Sequence, residues 1–239
     1  MSGPNIHEID VLHNRKGVFK NREHAGSALA SMLGKYRSSD AIVLGIPAVG
    51  VPVAAEVAHE LALPFDVAIT KKITPPWNSE FGYGAVAFDG TVLLNEELLP
   101  QLGLDKQEIT EGIQKAKTKT EKRNKRYRGD RPFPEIGGRT VILIDDGLAT
   151  GITFKVTITA LHQAGAERII GAVPTGHSQT VNLIAKKVDE LYCANIRGGI
   201  QYAVADAYEH WHDLSDDEVM TILYEFKQQE PEKAVPSLF

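Results

Sequence analysis

Cysteine is nearly absent from this chain: Cys193 is the single one in 239 residues, which excludes an internal disulfide and any Cys cluster for zinc. Cys193 lies between Tyr192 and Ala194 in an apolar run, the setting of a buried strand residue rather than of a nucleophile. No apolar stretch approaches the ~20 residues that a membrane helix needs. Glu8 and Asp10 do not suit a signal peptide, so the expected setting is reducing and cytoplasmic, with no membrane partner. A net charge of -5 argues against general nucleic-acid binding. No Ser-His-Asp or Cys-His arrangement is evident. Internal repeats and low-complexity tracts are lacking as well.

What is present is an ordinary globular composition, 43% hydrophobic and 24% charged, in a chain long enough for one α/β domain of common size. Buried strands are expected at Ala41 to Ile46, Phe65 to Ile69, Thr140 to Ile144, Arg168 to Val173 and Glu190 to Ile196, with a possible short one at Ile9 to Leu12. Helices are expected from an Asn21 cap to Gly34, from Val51 to Leu63, and from Asp105 to Tyr127. Three more are expected from Thr153 to Gly165, from a Ser178 cap to Val188, and from Asp216 to Phe226. Asp89-Gly90, between Ala85 to Phe88 and Thr91 to Leu94, is a hairpin signal. Strands alternating with helices imply a doubly wound, mainly parallel α/β sheet. One domain is expected over 1–239: a core at about 17–196, a hood and C-terminal helix at about 197–226, and a frayed tail at 227–239.

The chain is organised around Arg139 to Thr153, where the apolar, β-branched strand ends in Asp145-Asp146 and a Gly/Thr-rich turn leads into a helix. In Gly147-Leu-Ala-Thr-Gly151, small residues let the backbone approach a ligand, and the helix N-terminus aims unpaired N–H groups and a positive dipole at it. A phosphate monoester is the natural occupant, with the Thr150 and Thr153 hydroxyls as further donors. Two carboxylates beside a phosphate must bind something else on the same ligand: sugar hydroxyls, or Mg2+ held directly or through water. No Lys follows Gly151, so this is not the Gly-x-x-x-x-Gly-Lys-Thr loop, and it is not the dinucleotide fingerprint either.

Val141 to Thr153 closely resembles the 13-residue motif of the type I phosphoribosyltransferases, an apolar run, two acids, a small-residue Thr-Gly loop and a closing Thr. From about Gly17 to Glu218 the chain also looks like a group of bacterial and archaeal proteins assigned to phosphoribosyl transfer from sequence, with no established acceptor. That likeness rests on Tyr127-Arg-Gly-Asp-Arg-Pro132, the central motif, Ala172-Val-Pro174 and Tyr208-Glu209. The resemblance implies an enzyme that moves a 5-phosphoribosyl group from phosphoribosyl pyrophosphate (PRPP) to a nitrogen acceptor, with Mg2+, as a homodimer. Asp145 and Asp146 would hold the ribose hydroxyls. Gly147, Leu148, Ala149, Thr150, Gly151 and Thr153 would hold the 5′-phosphate. Hypoxanthine-guanine members carry an Asp where this chain has Ala149, which makes a 6-oxopurine acceptor less suitable.

Gly45 to Gly50 occupies the place of the family's pyrophosphate loop, so Ala48, Val49 and Gly50 are candidate contacts. Arg-Gly is expected in relatives where Ala48-Val49 stands, so a cation is missing. A plain strand-to-helix turn is the competing reading. Lys71 and Lys72, at the end of the next strand, can supply the charge, with one of the two, preferably Lys71, facing the site. Thr74 to Gly90 corresponds to a mobile lid with Trp77, Glu80 and Tyr83, although Trp77 and Phe81 also suit hairpin packing. Residues 197–212 correspond to a hood: Ile200, Tyr202 and Tyr208 can sandwich a ring, and Arg197 can bond a carbonyl or carboxylate on it. His210-Trp-His212 suits a structural role better than a metal pair. Lys115 to Arg131 holds nine basic and two acidic residues. A solvated helix face is the ordinary reading of such a run; steering of an anion, or contact with an acidic region of a second subunit, are the alternatives. Beside the enzyme stand a PRPP- or nucleotide-binding regulatory protein without turnover, favoured by Ala48-Val49, and a sugar-phosphate hydrolase, which would want more spaced carboxylates.

Overall fold

The computed structural model describes residues 6–78 and 81–229. Its elements in chain order are β1 (Ile6–His7), α1 (Arg22–Met32), β2 (Ile42–Gly45), α2 (Gly50–Leu61), β3 (Phe65–Val67), β4 (Lys71–Ile73), β5 (Gly84–Val86), β6 (Val92–Leu94), α3 (Leu99–Leu102) and α4 (Lys106–Arg128). They continue with β7 (Thr140–Ile144), α5 (Ile152–Gln163), β8 (Arg168–His177), α6 (Ser178–Ala185), β9 (Glu190–Arg197) and α7 (Asp216–Gln229).

Six strands form a parallel sheet in the order β1-β9-β8-β7-β2-β3. Because side chains alternate across a strand, β7 sends Ile142 and Ile144 to the face covered by α1 and α2, and Val141 and Leu143 to the face covered by α5 and α6. The expected doubly wound architecture is therefore present, and both faces are apolar because both are covered. Cys193 is fully buried among the α5/α6-facing residues, and burial pushes its thiol pKa up. From β2 the chain moves outward to β3, and after the β4–β6 excursion it returns to β7 on the opposite side of β2. The order reverses between β2 and β7, and such switch points open a crevice at the strands' carboxyl ends.

Several boundaries differ from the sequence expectations. Ile9 to Leu12 is not a strand: Asp10–Leu12 is a 3-10 turn, with Ile9 and Leu12, three apart, both packed on the core, and β1 lies earlier. Ser178 is not a cap but the first residue of α6, which stops at Ala185. β8 and β9 run on to His177 and Arg197, paired along their length. α7 extends through Gln229 into the stretch expected to fray, and residues 230–239 lie outside the described ones. Asn21 does cap α1, accepting from the His24 N–H at 2.9 Å. Asp105 and Glu108 close a full capping box on α4.

Lys71 and Lys72 do not end a strand of the main sheet. They open β4, which pairs antiparallel with β5 in a separate three-stranded sheet. The Asp89-Gly90 turn forms as expected, with Gly90 at φ +90° and the Ala87 N–H on Thr91 O at 2.9 Å. This small sheet is packed on both faces, against α4 through Ile73, Val86 and Ala116 and against α5 through Ala85 and Ala87. Tyr83, expected in a lid, is buried there at 1% exposure beside Gly112. Trp77 and Phe81 are exposed and do not pack the hairpin, while Glu80 lies outside the described residues. No helix among the described residues is long and apolar enough to cross a membrane.

Candidate functional site

A cleft of about 390 Å³ opens at the switch point. One side is the β2–α2 turn with Ile46, Pro47 and Val49, and another is the β7–α5 segment from Asp145 to Gly151 with Thr153. Lys71, Lys72 and Thr74 of the β4 region and Lys119 and Arg123 of α4 form the far wall, and Val204 closes the hood side. Tertiary structure thus brings Asp145, Asp146, the phosphate-loop candidates, Val49 and both lysines to one place. The expectation that one lysine alone faces the site is corrected: leaving the main sheet sets both on the cleft wall.

The Gly147–Gly151 loop is held from outside. Leu148 donates its N–H to Thr175 O and accepts from the His177 N–H, both at 2.9 Å, so it extends the parallel pairing of β8. Its side chain is buried, and its backbone is spent on the sheet. Thr180 Oγ1 donates to Ala149 O at 2.6 Å. Gly151 caps α5 at φ +70° with no side-chain acceptor, which leaves the first-turn N–H groups of α5 to the cleft. A Cβ on Gly147 would lie 2.6 Å from Val204 Cγ1, so the hood seats directly on this loop.

The two acids differ. Asp145 Oδ1 accepts the Asp146 N–H at 2.9 Å. Asp146 Oδ2 accepts Arg22 Nε at 3.2 Å, Arg22 Nη2 at 3.1 Å and Trp211 Nε1 at 3.2 Å. Arg22 is itself buried, donates Nη1 to His212 O at 2.9 Å and stands 5.1 Å from the Trp211 ring. Burial pushes both carboxyl pKa values up; the Asp146 charge adds to this for Asp145, while Arg22 and Trp211 oppose it for Asp146. Arg22 was not legible as a site residue, because nothing in its own helix marks it. In the His210-Trp-His212 segment, Trp211 donates to Asp146 and the His212 carbonyl accepts from Arg22, and no group of three or more metal-ligating side chains is found among the described residues.

The remaining candidates lie around the cleft rather than in it. Ala48 packs toward α7, in a turn whose Pro47–Ala48 peptide is cis. Gly50 sits under the β7 terminus, where a Cβ would come within 2.9 Å of Asp145 Cα. Arg197 is buried and donates to Ala203 O at 3.2 Å and Asp206 Oδ2 at 3.0 Å, so it clasps the hood turn instead of waiting for a ligand. Tyr202 stacks by that guanidinium and donates to Thr175 Oγ1 at 3.3 Å. Tyr208 is buried with its hydroxyl on Asp146 O at 2.7 Å, which removes it as half of a ring sandwich. Ile200 points to solvent.

Part of the basic run of α4 is paired within the chain instead of being wholly solvated. Arg126 pairs with Asp217 at 2.7 Å, Arg123 with Asp216 at 2.6 Å, and the Tyr127 hydroxyl donates to Asp216 Oδ1 at 2.5 Å, all within one chain. Burial, with Arg123 and Lys119 nearby, pulls Lys71 down to a pKa of about 8.

Known proteins agree with this arrangement. Two Mycobacterium tuberculosis proteins, Rv0571c of strain H37Rv and MT0597 of strain CDC 1551, are provisionally named phosphoribosyl transferases. Each is 34% identical over 206 residues, 86% of this chain. The chain spans about half the length of these curated relatives, 46%. The crystal structure of TT1426 from Thermus thermophilus superposes with a TM-score of 0.71 at 32% identity, covering 87% of this chain and 98% of that one. The phosphoribosyl transferase domain model matches residues 10–207, and with the acid pair, the small-residue turn and the switch-point cleft in one place, this chain belongs to the phosphoribosyl transferase domain family.

Proposed function

We propose that this protein is a phosphoribosyltransferase that moves a 5-phosphoribosyl group from PRPP to a nitrogen acceptor such as a nucleobase, releasing diphosphate. The observation that carries the reading is the open N-terminus of α5, capped by Gly151 without a side chain, beside two buried carboxylates in one cleft. Ala149, Thr150, Gly151 and Thr153 hold the 5′-phosphate through N–H groups and hydroxyls, with Gly147 giving clearance and Leu148 anchoring the loop. Asp145 takes ribose hydroxyls with Oδ2, and Asp146 with the oxygen that Arg22 and Trp211 leave open. The anomeric carbon passes through an oxocarbenium-like state, and catalysis is positioning and electrostatics, with no protein nucleophile.

The acid pair suits a Mg2+ ion that arrives with the donor better than a resident one. Two carboxylates whose pKa values are raised gain from a nearby cation, yet no third protein ligand accompanies them among the described residues. Such an ion supplies charge neutralisation of the departing diphosphate. Ala149 carries no proton, so the acceptor loses its proton to a hood or lid group or to water. Residues 1–239 are read as one domain, a reading supported by the packing of α7 on Val51 and Val67. On the family resemblance, the protein is read as a cytoplasmic homodimer.

A regulatory protein that binds PRPP or a nucleotide without turnover is the second reading, favoured by the uncharged Ala48-Val49 turn. Calorimetric titration with PRPP and Mg2+, repeated on Asp145→Asn/Asp146→Asn, decides between them. Wild-type binding that the double variant loses, with diphosphate release on adding one of a panel of nucleobases, supports the enzyme. Binding without release across the panel favours the regulator; absence of wild-type PRPP binding sinks the enzyme, and a further titration with nucleotides that also shows no binding sinks the regulator.

A further inference from the structure

The β2–α2 turn brings no cation to the cleft: Ala48 packs toward α7, Gly50 is covered by Asp145, and Val49 is apolar. Positive charge enters from the other side. Lys119 and Arg123, one helical turn apart on α4, line the same cleft as Lys71 and Lys72. Four cations on one wall face one paired carboxylate, Asp216, which binds Arg123 at 2.6 Å. Among the described residues, Lys71, Lys72 and Lys119 have no ion pair. Like charges gathered with so few counterions repel one another, and Lys71, pulled down to a pKa of about 8 by burial and then by Arg123 and Lys119, registers that crowding beside its burial. Such a wall attracts an anion of high charge density. At the other end of the cleft lies the α5 N-terminus, a separate site for one phosphate, and the acid pair stands in the same cleft.

Resting on the reading of this cleft as a PRPP site, we infer that Lys119 and Arg123 of α4, with Lys71 beside them, hold the diphosphate of the donor. They replace the cation missing from the β2–α2 turn. The cleft then has two anion poles of different make: helix N–H groups for the monoester and side-chain cations for the diphosphate. Asp216 is the internal anion that occupies Arg123 before the ligand does. Elsewhere on this helix Arg126 pairs with Asp216 and Asp217 of α7 and Arg128 with Asp66 of β3, so Lys119 and Arg123 are the basic residues of α4 that line the cleft.

Isothermal titration with PRPP, inorganic pyrophosphate and ribose 5-phosphate, each with Mg2+, tests this on the full chain. Lys119 is exposed and has no ion pair, so Lys119→Ala leaves the fold intact; Arg123→Gln joins it as a double variant, with circular dichroism as the check. The expected result is a loss of roughly tenfold per cation for PRPP and pyrophosphate. Ribose 5-phosphate should stay within about twofold, as should all three ligands on Lys115→Ala, a control on the same helix outside the cleft. Equal losses for all three ligands would reduce these cations to a general field and overturn the inference, as would unchanged pyrophosphate binding. If wild type binds none of the three, the PRPP reading itself fails, which is distinct from a wild type that binds PRPP and variants that bind it equally well.

Discussion

Arg22 donates from both Nε and Nη2 to a single oxygen of Asp146, at 3.2 and 3.1 Å, across 124 residues of sequence and with both side chains buried. The pair fixes one of the two acids of the central motif and ties α1 to the end of β7. Removing one partner leaves an uncompensated buried charge, which costs about 3–5 kcal/mol. Arg22→Met should therefore lower unfolding free energy by that amount in urea titration. Arg22→Lys should recover part of it, since it keeps the charge without the fork. A loss under about 1 kcal/mol for Arg22→Met would mean that Asp146 is already neutral in the folded protein.

Lys71 gives the cleft a pH dependence whose direction is fixed. Its pKa is pulled down to about 8 from 10.5 by burial, then by Arg123 and Lys119. Below pH 8 it is charged in the free protein; above, the charge is lost, and a bound anion must restore the proton. Pyrophosphate affinity should fall as pH rises through about 8, and Lys71→Met should bind more weakly at pH 7 and lack that inflection. Affinity that is flat from pH 7 to 9 in wild type would place Lys71 outside the ligand's reach.

Gly50 and Gly147 both exclude a side chain, against different neighbours. A Cβ on Gly50 meets Asp145 Cα at 2.9 Å and Ile144 O at 3.0 Å, which are backbone atoms, whereas on Gly147 it meets the Val204 methyls at 2.6 and 2.7 Å. Backbone at a strand end cannot yield as a valine can, so Gly50→Ala should cost more stability, on the order of 1–3 kcal/mol. Gly147→Ala should be relieved by Val204→Ala, and Gly50→Ala should not. Thermal unfolding of the four variants reads this directly; equal relief in both would contradict the assignment.

Glu190 controls acid stability at the amino end of β9, the opposite end of the strands from the cleft. It is buried, and accepts from Lys35 at 2.6 Å, from Tyr192 and Arg168 at 2.9 Å, and from Tyr36 at 3.0 Å. Burial alone would raise its pKa, but the donors outweigh it and hold it at about 2, against 4.5 in the ordinary state. Above pH 4.5 both folded and unfolded chains are ionised and the stabilisation is complete. Between 4.5 and 2 the unfolded chain takes up a proton that the folded one refuses, so stability is lost as pH falls. Glu190→Gln should be less stable at pH 6 and should decline less steeply from pH 5 to 3 in denaturant titrations.

Local pattern sufficed where the relevant physics is local. The β-branched run of β7, the Asp89-Gly90 turn, the Asn21 cap and the loop of small residues after Asp145-Asp146 are written in neighbouring residues, and the motif of β7 and that loop is enough to indicate the family. Boundaries that depend on what lies opposite were not so written: β8 continues to His177 because β9 and Leu148 pair with it, and Lys71 leaves the main sheet because β5 offers it a partner.

Charge assignments needed the fold most. Arg22, Tyr208 and Arg123 are ordinary residues in their own segments, and each takes its role from a partner far along the chain: Arg22 with Asp146, Tyr208 on the Asp146 carbonyl, and Arg123 with Asp216. That an acid pair and a small-residue turn stand at a strand end is legible locally, because strand, turn and helix are adjacent. Which cations face them depends on the fold. Coulomb and hydrogen-bond partners are set by distance in space, and the hairpin sheet and α4 reach the cleft through packing that no local pattern encodes.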